Sequence, residues 1–157
     1  MSRLSGDRKA NEIRATTVKL GVLHDVDGSC LFQRKNTKVI SSVRTSHHDD
    51  LPFEFAVDVV FASFGREAPS SHRKEVVVSV LQQTLETKKM AETFPNTTVA
   101  LHVFVLEEDG GATEAIITSA SLALFDAGIV QDDVVVASSV VKLPNGERPI
   151  VDPTAEE

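Results

Sequence analysis

The sequence predicts an α+β fold, a sheet of mostly antiparallel strands with two helices packed on one face. Three observations predict it. Short β-branched runs separated by tight-turn signals fill the N-terminal third. A phenylalanine-rich apolar run is followed by a long stretch of helical periodicity. Finally, Leu106 to Gly128 leaves an apolar strand, turns at Gly110-Gly111 and enters a helix crowded with small residues. From periodicity alone this is a two-layer α/β sandwich.

Residues 1–14 are polar and charged and read as an N-terminal arm, with the domain proper over residues 15–157. Ala15–Leu23 is β-branched and roughly alternating, a strand. Asp25-Val26-Asp27-Gly28 is a turn signal, and Ser29–Gln33 resumes extended structure. Lys35-Asn36 turns the chain again into a third strand, Thr37–Val43. Three short strands joined by tight turns make an antiparallel meander. Phe53–Phe64 alternates over Phe53, Phe55, Val57 and Val59, and Gly65–Ser71 breaks it.

A helix is expected over Ser71–Met90, capped by Ser70 or Ser71, with Val76, Val77, Val80, Leu81, Leu85 and Met90 turned inward. Phe94-Pro95-Asn96 ends it. Thr97–Leu106 is apolar enough to be a central strand. The following helix, Thr113–Ala127, carries small residues (Ala115, Ser119, Ala120, Ser121, Ala123, Ala127), while Ile116, Ile117, Leu122, Leu124 and Phe125 nearly encircle it. Such a helix is buried and closely approached by a sheet. Gly128 suits its C′ position. A strand over Val134–Val141, a turn over Leu143–Arg148 and a return over Pro149–Val151 complete the pattern.

With 157 residues the chain suits one domain, and its 41% hydrophobic content and mean hydropathy of -0.03 are ordinary for a globular protein. No apolar run reaches membrane-spanning length, and the first residues lack a signal-peptide apolar core. One cysteine, Cys30, excludes an intrachain disulfide and favours a reducing compartment. The net charge of -7 is uneven: residues 1–48 hold nine Lys/Arg against four Asp/Glu (+5), the rest seven against nineteen (-12). A broad nucleic-acid surface would make the whole chain basic. With eight Phe but no Trp or Tyr, there is no base-stacking platform. RNA contact would therefore be to backbone, weakly, through Arg34, Lys35, Lys38 and Arg66. His47-His48-Asp49-Asp50 offers ligand types but no second cluster to converge with it, so no metal site is expected.

Several motifs occur in order. Asp7, Arg8, Glu12 and Arg14 give D-R-x-x-x-E-x-R; Gly21–Ser29 gives G-x-L-x-x-x-D-G-S; Asn36–Val39 gives N-T-K-V. Asp109-Gly110-Gly111 then precedes a helix of the type I-T-x-A-x-L-A-L-x-D-A-G-I. Together these resemble the RNase PH family of phosphate-dependent 3′ exoribonucleases, most of all the ring subunits of the RNA exosome. The resemblance implies the ribosomal protein S5 domain 2-like fold, a βαβ sandwich. It also implies further strands and helices beyond Glu157, so against that pattern the chain reads as shortened.

The same resemblance implies where chemistry would sit. Strand, glycine turn and helix start form an anion cradle, and active members follow the glycines with Thr-Arg. Here Gly110 and Gly111 are followed by Ala112-Thr113, then Glu114, whose charge suits the helix start but competes with phosphate. Asp152 occupies the first position of a catalytic carboxylate pair whose second member would fall past Glu157; beside Pro153 it reads as a turn residue. The basic track before Pro69 keeps only Arg66, next to Glu67. The expectation is a non-catalytic structural subunit of the exosome ring, without cofactor, partnered by other RNase PH-like subunits, in nucleus, nucleolus and cytoplasm. The alternative is a phosphate-dependent 3′ exoribonuclease using inorganic phosphate and Mg, alone or with a partner subunit.

Overall fold

The computed structural model describes residues 8–9, 11–62, 70–142 and 149–155. The elements run β1 (Thr16–Leu20), β2 (Gly28–Arg34), β3 (Thr37–His47), β4 (Glu54–Phe61), α1 (Ser71–Leu85), α2 (Lys88–Thr93), β5 (Thr97–Glu107), α3 (Ala112–Asp126), β6 (Val140–Val141) and β7 (Ile150–Val151). Five strands form one sheet in the order β1-β2-β3-β5-β4. The meander β1-β2-β3 is antiparallel, β5 joins it antiparallel, and only β4 and β5 pair in parallel. A parallel pair needs a crossover, and α1 and α2 supply it. The expected α+β architecture is the observed one.

Period-two alternation assigns one face of the sheet to the core. β5 buries Val99, Leu101, Val103 and Val105, β3 buries Val39 and Val43, and β4 buries Phe55 and Val59. Onto that face α1 brings Val77, Leu81 and Leu85, α2 brings Met90, and α3 brings Ala115, Ile116, Ala120, Ala123 and Leu124. The small residues of α3 let it lie close to β2 and β3. A Cβ on Gly28 would come within 2.3 Å of the Ala127 amide nitrogen, so glycine is required there by contact. The Ser41 hydroxyl donates to Ser119 Oγ at 2.9 Å between strand and helix. At the far end of α3 the Asp126 carboxylate accepts from the backbone N–H of Ser29 at 2.9 Å. The Asp-Gly-Ser turn and the end of α3 thus interlock.

Four expectations need correction. The helix expected over Ser71–Met90 is two. Glu86 is extended, with ψ 120, and the Thr87 side chain caps α2 by accepting from the Met90 amide, so a local side-chain bond replaces one helical turn. Val76, expected inward, is 48% exposed on the outer side of α1. Phe125 is likewise exposed on α3. Of the strand expected over Val134–Val141 only Val140 and Val141 pair, with β7. The preceding residues are held by α3 side chains, Ser121 Oγ accepting from Val135 N at 2.8 Å and Thr118 Oγ1 from Ala137 N at 3.2 Å. Ser70 caps α1 as expected, and Gly128 is left-handed after α3. Most of the break over Gly65–Ser71 and the turn over Leu143–Arg148 lie outside the described residues.

Candidate functional site at the glycine turn

β5 delivers the chain to Glu108–Gly111, where Gly110 (φ 77) and Gly111 (φ 66) are both left-handed. Gly111 is the N-cap of α3 and has no side chain to bond the free amides of the first turn. Ala112, at the first helical position, is buried, Thr113 is half-buried, and Glu114 is the acidic residue of that turn.

The turn is held from two sides. Thr37 Oγ1 donates to the Gly110 carbonyl at 2.9 Å and accepts from the Asp109 amide at 3.0 Å. Asn36 Nδ2 donates to Asp109 Oδ2 at 3.0 Å. From the other side comes Arg14. Its Nη1 donates to the Asp109 carbonyl at 2.5 Å and its Nη2 to the Gly110 carbonyl at 3.1 Å. The same guanidinium grips Asp152 in a two-pronged pair, Nη2 to Oδ1 at 2.6 Å and Nε to Oδ2 at 2.9 Å. The Arg14 backbone amide adds a third bond to Oδ2 at 2.8 Å. Four of the five guanidinium donors are therefore engaged.

Asp152 is not the solvated turn residue that its place before Pro153 suggests. Its side chain is 0% exposed, and Arg34 Nη1 and Arg8 Nη1 stand 3.6 and 3.4 Å from its oxygens. Burial alone raises a carboxyl pKa, but the Arg14 side-chain and backbone bonds and the charges of Arg14 and Arg34 outweigh it and hold Asp152 below the usual carboxylate range. Its backbone is left-handed, φ 54, an uncommon conformation for a residue with a Cβ. The segment it begins lies against the turn: a Cβ on Gly110 would stand 2.5 Å from the Pro153 carbonyl oxygen. Gly111 has a similar constraint, since its Cβ would meet Arg14 Nη2 at 3.1 Å and Glu114 Oε2 at 3.3 Å.

The expected RNA contacts divide. Arg34 is not a surface group: its side chain is 8% exposed, points at Asp152 and lies 5.3 Å over the Phe32 ring. Asp152 draws it inward. Lys35 is exposed in the β2–β3 turn with φ 52, and Lys38 pairs with Glu107 at 3.2 Å. Arg66 lies outside the described residues. Arg73, on the first turn of α1, pairs with Glu108, and Lys74 with Asp58 at 3.0 Å. His47 ends β3, and its Nδ1 is 3.5 Å from Thr97 Oγ1. No group of metal ligands forms among the described residues.

No cation follows the two glycines in sequence, but the fold brings Arg14 to the turn. Arg14 closes the D-R-x-x-x-E-x-R motif, yet 95 residues separate it from Asp109. Motif order was the available signal, and it carries no distance.

The model of the 3′ exoribonuclease family, domain 1 (RNase PH) matches residues 12–130. The chain belongs to the RNase PH family. That match takes in Arg14, Asn36-Thr37, the glycine turn and all of α3, and stops short of Asp152. Among relatives, the exosome complex component RRP41 homolog of Arabidopsis thaliana is 33% identical over 87% of this chain and 61% of its own length. The exosome complex component Rrp41 of Pyrococcus furiosus is 36% identical over 90% of this chain and 60% of its own. The chain thus spans about three fifths of the length of these relatives. The RNase PH fold is matched by rice Rrp46, with TM-score 0.80 at 22% identity over 98% of this chain and 74% of that one. The archaeal exosome core also matches, with TM-score 0.70 at 18% identity over 98% and 69%.

Proposed function

We propose that this chain is a non-catalytic RNase PH-like subunit of an RNA exosome ring. It would assemble with other RNase PH-like subunits and support 3′-to-5′ RNA processing and degradation performed by a nuclease elsewhere, in nucleus, nucleolus and cytoplasm. The relatives named as exosome complex components support the assembly, and one observation carries the non-catalytic reading. Among the described residues the guanidinium bonded to the glycine turn is that of Arg14, and it is committed to Asp152 and to the carbonyls of Asp109 and Gly110. The first turn of α3 then offers Ala112, Thr113 and Glu114, none of them cationic. Phosphorolysis depends on charge stabilisation of the attacking phosphate, and loss of one such donor costs about 10²–10³ in rate.

The second reading, a phosphate-dependent 3′ exoribonuclease, draws on the left-handed Gly110-Gly111 pair ahead of a helix N-terminus. One assay separates the two. Purified chain is incubated with oligo(A), Mg and inorganic phosphate, alone and with co-expressed RNase PH-like subunits, and nucleoside diphosphates are measured. No phosphate-dependent release is expected from this chain in either setting. Release that tracks with it would establish the enzyme instead. Failure to co-purify with any RNase PH-like chain would remove the ring assignment.

A further inference from the structure

The five-stranded sheet has a second face, and α1 and α3 both pack on the other one. Directly across four strands of this face, which no helix covers among the described residues, runs an apolar row: Leu31 on β2 opposes Ile40 on β3, Ile40 opposes Phe104 on β5, and Phe104 opposes Val60 on β4. None of the four belongs to the core or packs against it. Phe104 is 42% and Val60 39% exposed. Single exposed apolar side chains are ordinary, but four aligned side by side form a continuous strip.

The strip has an internal symmetry. A half-turn about an axis parallel to the strands, midway between β3 and β5, exchanges β3 with β5 and β2 with β4. Under it, Leu31 of one copy faces Val60 of another and Ile40 faces Phe104. The charges follow the same operation. Further along β3 on this face, Arg44 is exposed and has no ion-pair partner among the described residues. Its row continues into Ala100 on β5 and Ala56 on β4, two small residues. On β4 that alanine is flanked, on the same face, by Glu54, which has no ion-pair partner among the described residues, and by Asp58, which Lys74 of α1 already holds at 3.0 Å. The half-turn lays Arg44 of one copy over the Ala100-Ala56 gap of the other, beside Glu54.

We propose that this open face is an isologous interface for a second copy of the chain. Two sheets pack face to face through the Leu31-Ile40-Phe104-Val60 row, with Arg44 of each copy reaching Glu54 of its partner. Aligned sheet packing about 10 Å apart keeps strand directions within about 30°, which this axis allows. The inference rests on the register of the open face and stands apart from the ring assignment.

Sedimentation velocity and light scattering of the full chain test it. Wild type is expected to be a dimer at about 100 µM, a concentration at which a standard-size interface is filled. Phe104→Glu and Arg44→Glu are each expected to raise the dimer dissociation constant about tenfold or more, with circular dichroism unchanged and with a wild-type unfolding midpoint once all proteins are dilute enough to be monomeric. The double exchange Arg44→Glu with Glu54→Arg restores much of the loss, which a merely structural role for Arg44 would not produce. A wild-type monomer at that concentration overturns the proposal even if the chain enters a ring of related subunits. So does a dimer indifferent to both single substitutions.

Discussion

Arg14 and Asp152, 138 positions apart, form a buried two-pronged ion pair with 1% and 0% of their side chains exposed, and that pair ties the N-terminal segment and the chain end to the glycine turn. Arg14 faces both ways, holding the carboxylate with one set of donors and the Asp109 and Gly110 carbonyls with another. Asp152 therefore acts on the turn through Arg14.

Removing one partner of such a pair leaves the other charge buried and uncompensated. Asp152→Asn is expected to cost about 3–5 kcal/mol of folding stability, read from the urea midpoint at neutral pH. Arg14→Lys should also lose stability, because an ammonium does not reproduce the fork. A shift of only a few tenths in Asp152→Asn would mean that the pair is solvated in solution.

The same carboxylate sets an acid limb. Its folded pKa lies below its unfolded value, so its contribution is complete above about pH 4 and fades as pH falls through the depressed folded value. Wild-type stability should drop across that window. In Asp152→Asn this component of the drop should be missing, and urea midpoints taken at stepped pH would reveal it.

Two of the expected RNA-binding cations should behave in opposite ways. Arg34→Glu places a second carboxylate beside Asp152 and should destabilise the fold by about 3 kcal/mol or more. Lys35→Glu, on an exposed turn, should stay within about 0.5 kcal/mol of wild type. Lys35→Gly relieves the left-handed φ of 52 and should raise stability by up to about 1 kcal/mol, visible as a higher melting temperature.

Glycine positions separate contact from conformation. Gly28→Ala drives a Cβ into the backbone of Ala127 and Ala123 and should cost more than about 3 kcal/mol, because strand and helix must part. Gly21→Ala meets open space and bears only the strain of φ 63, about 1 kcal/mol. Equal thermal shifts for the two would contradict the close approach of α3.

In sequence, the element plan was readable because each signal is local. Alternation in Thr97–Leu106, the turn at Lys35-Asn36 and the small-residue helix ahead of Gly128 report on neighbours a few positions away. Ordered motif fragments, each weak, likewise sufficed to point to the RNase PH family. The helix break at Thr87 was less visible, since a capping threonine looks like any mid-helix threonine until its hydroxyl finds the Met90 amide.

What the chain carries in its own residue order is therefore the strands, the helices, their buried faces and the family they spell. Only the folded arrangement decided which charges go inside. Arg34 and Lys35 are adjacent cations, yet one is drawn against Asp152 and the other faces water. Asp152 reads as a turn residue until Arg14 arrives from the opposite end of the chain. A residue's charge is fixed by its type, but its surroundings depend on which distant strands the sheet brings together.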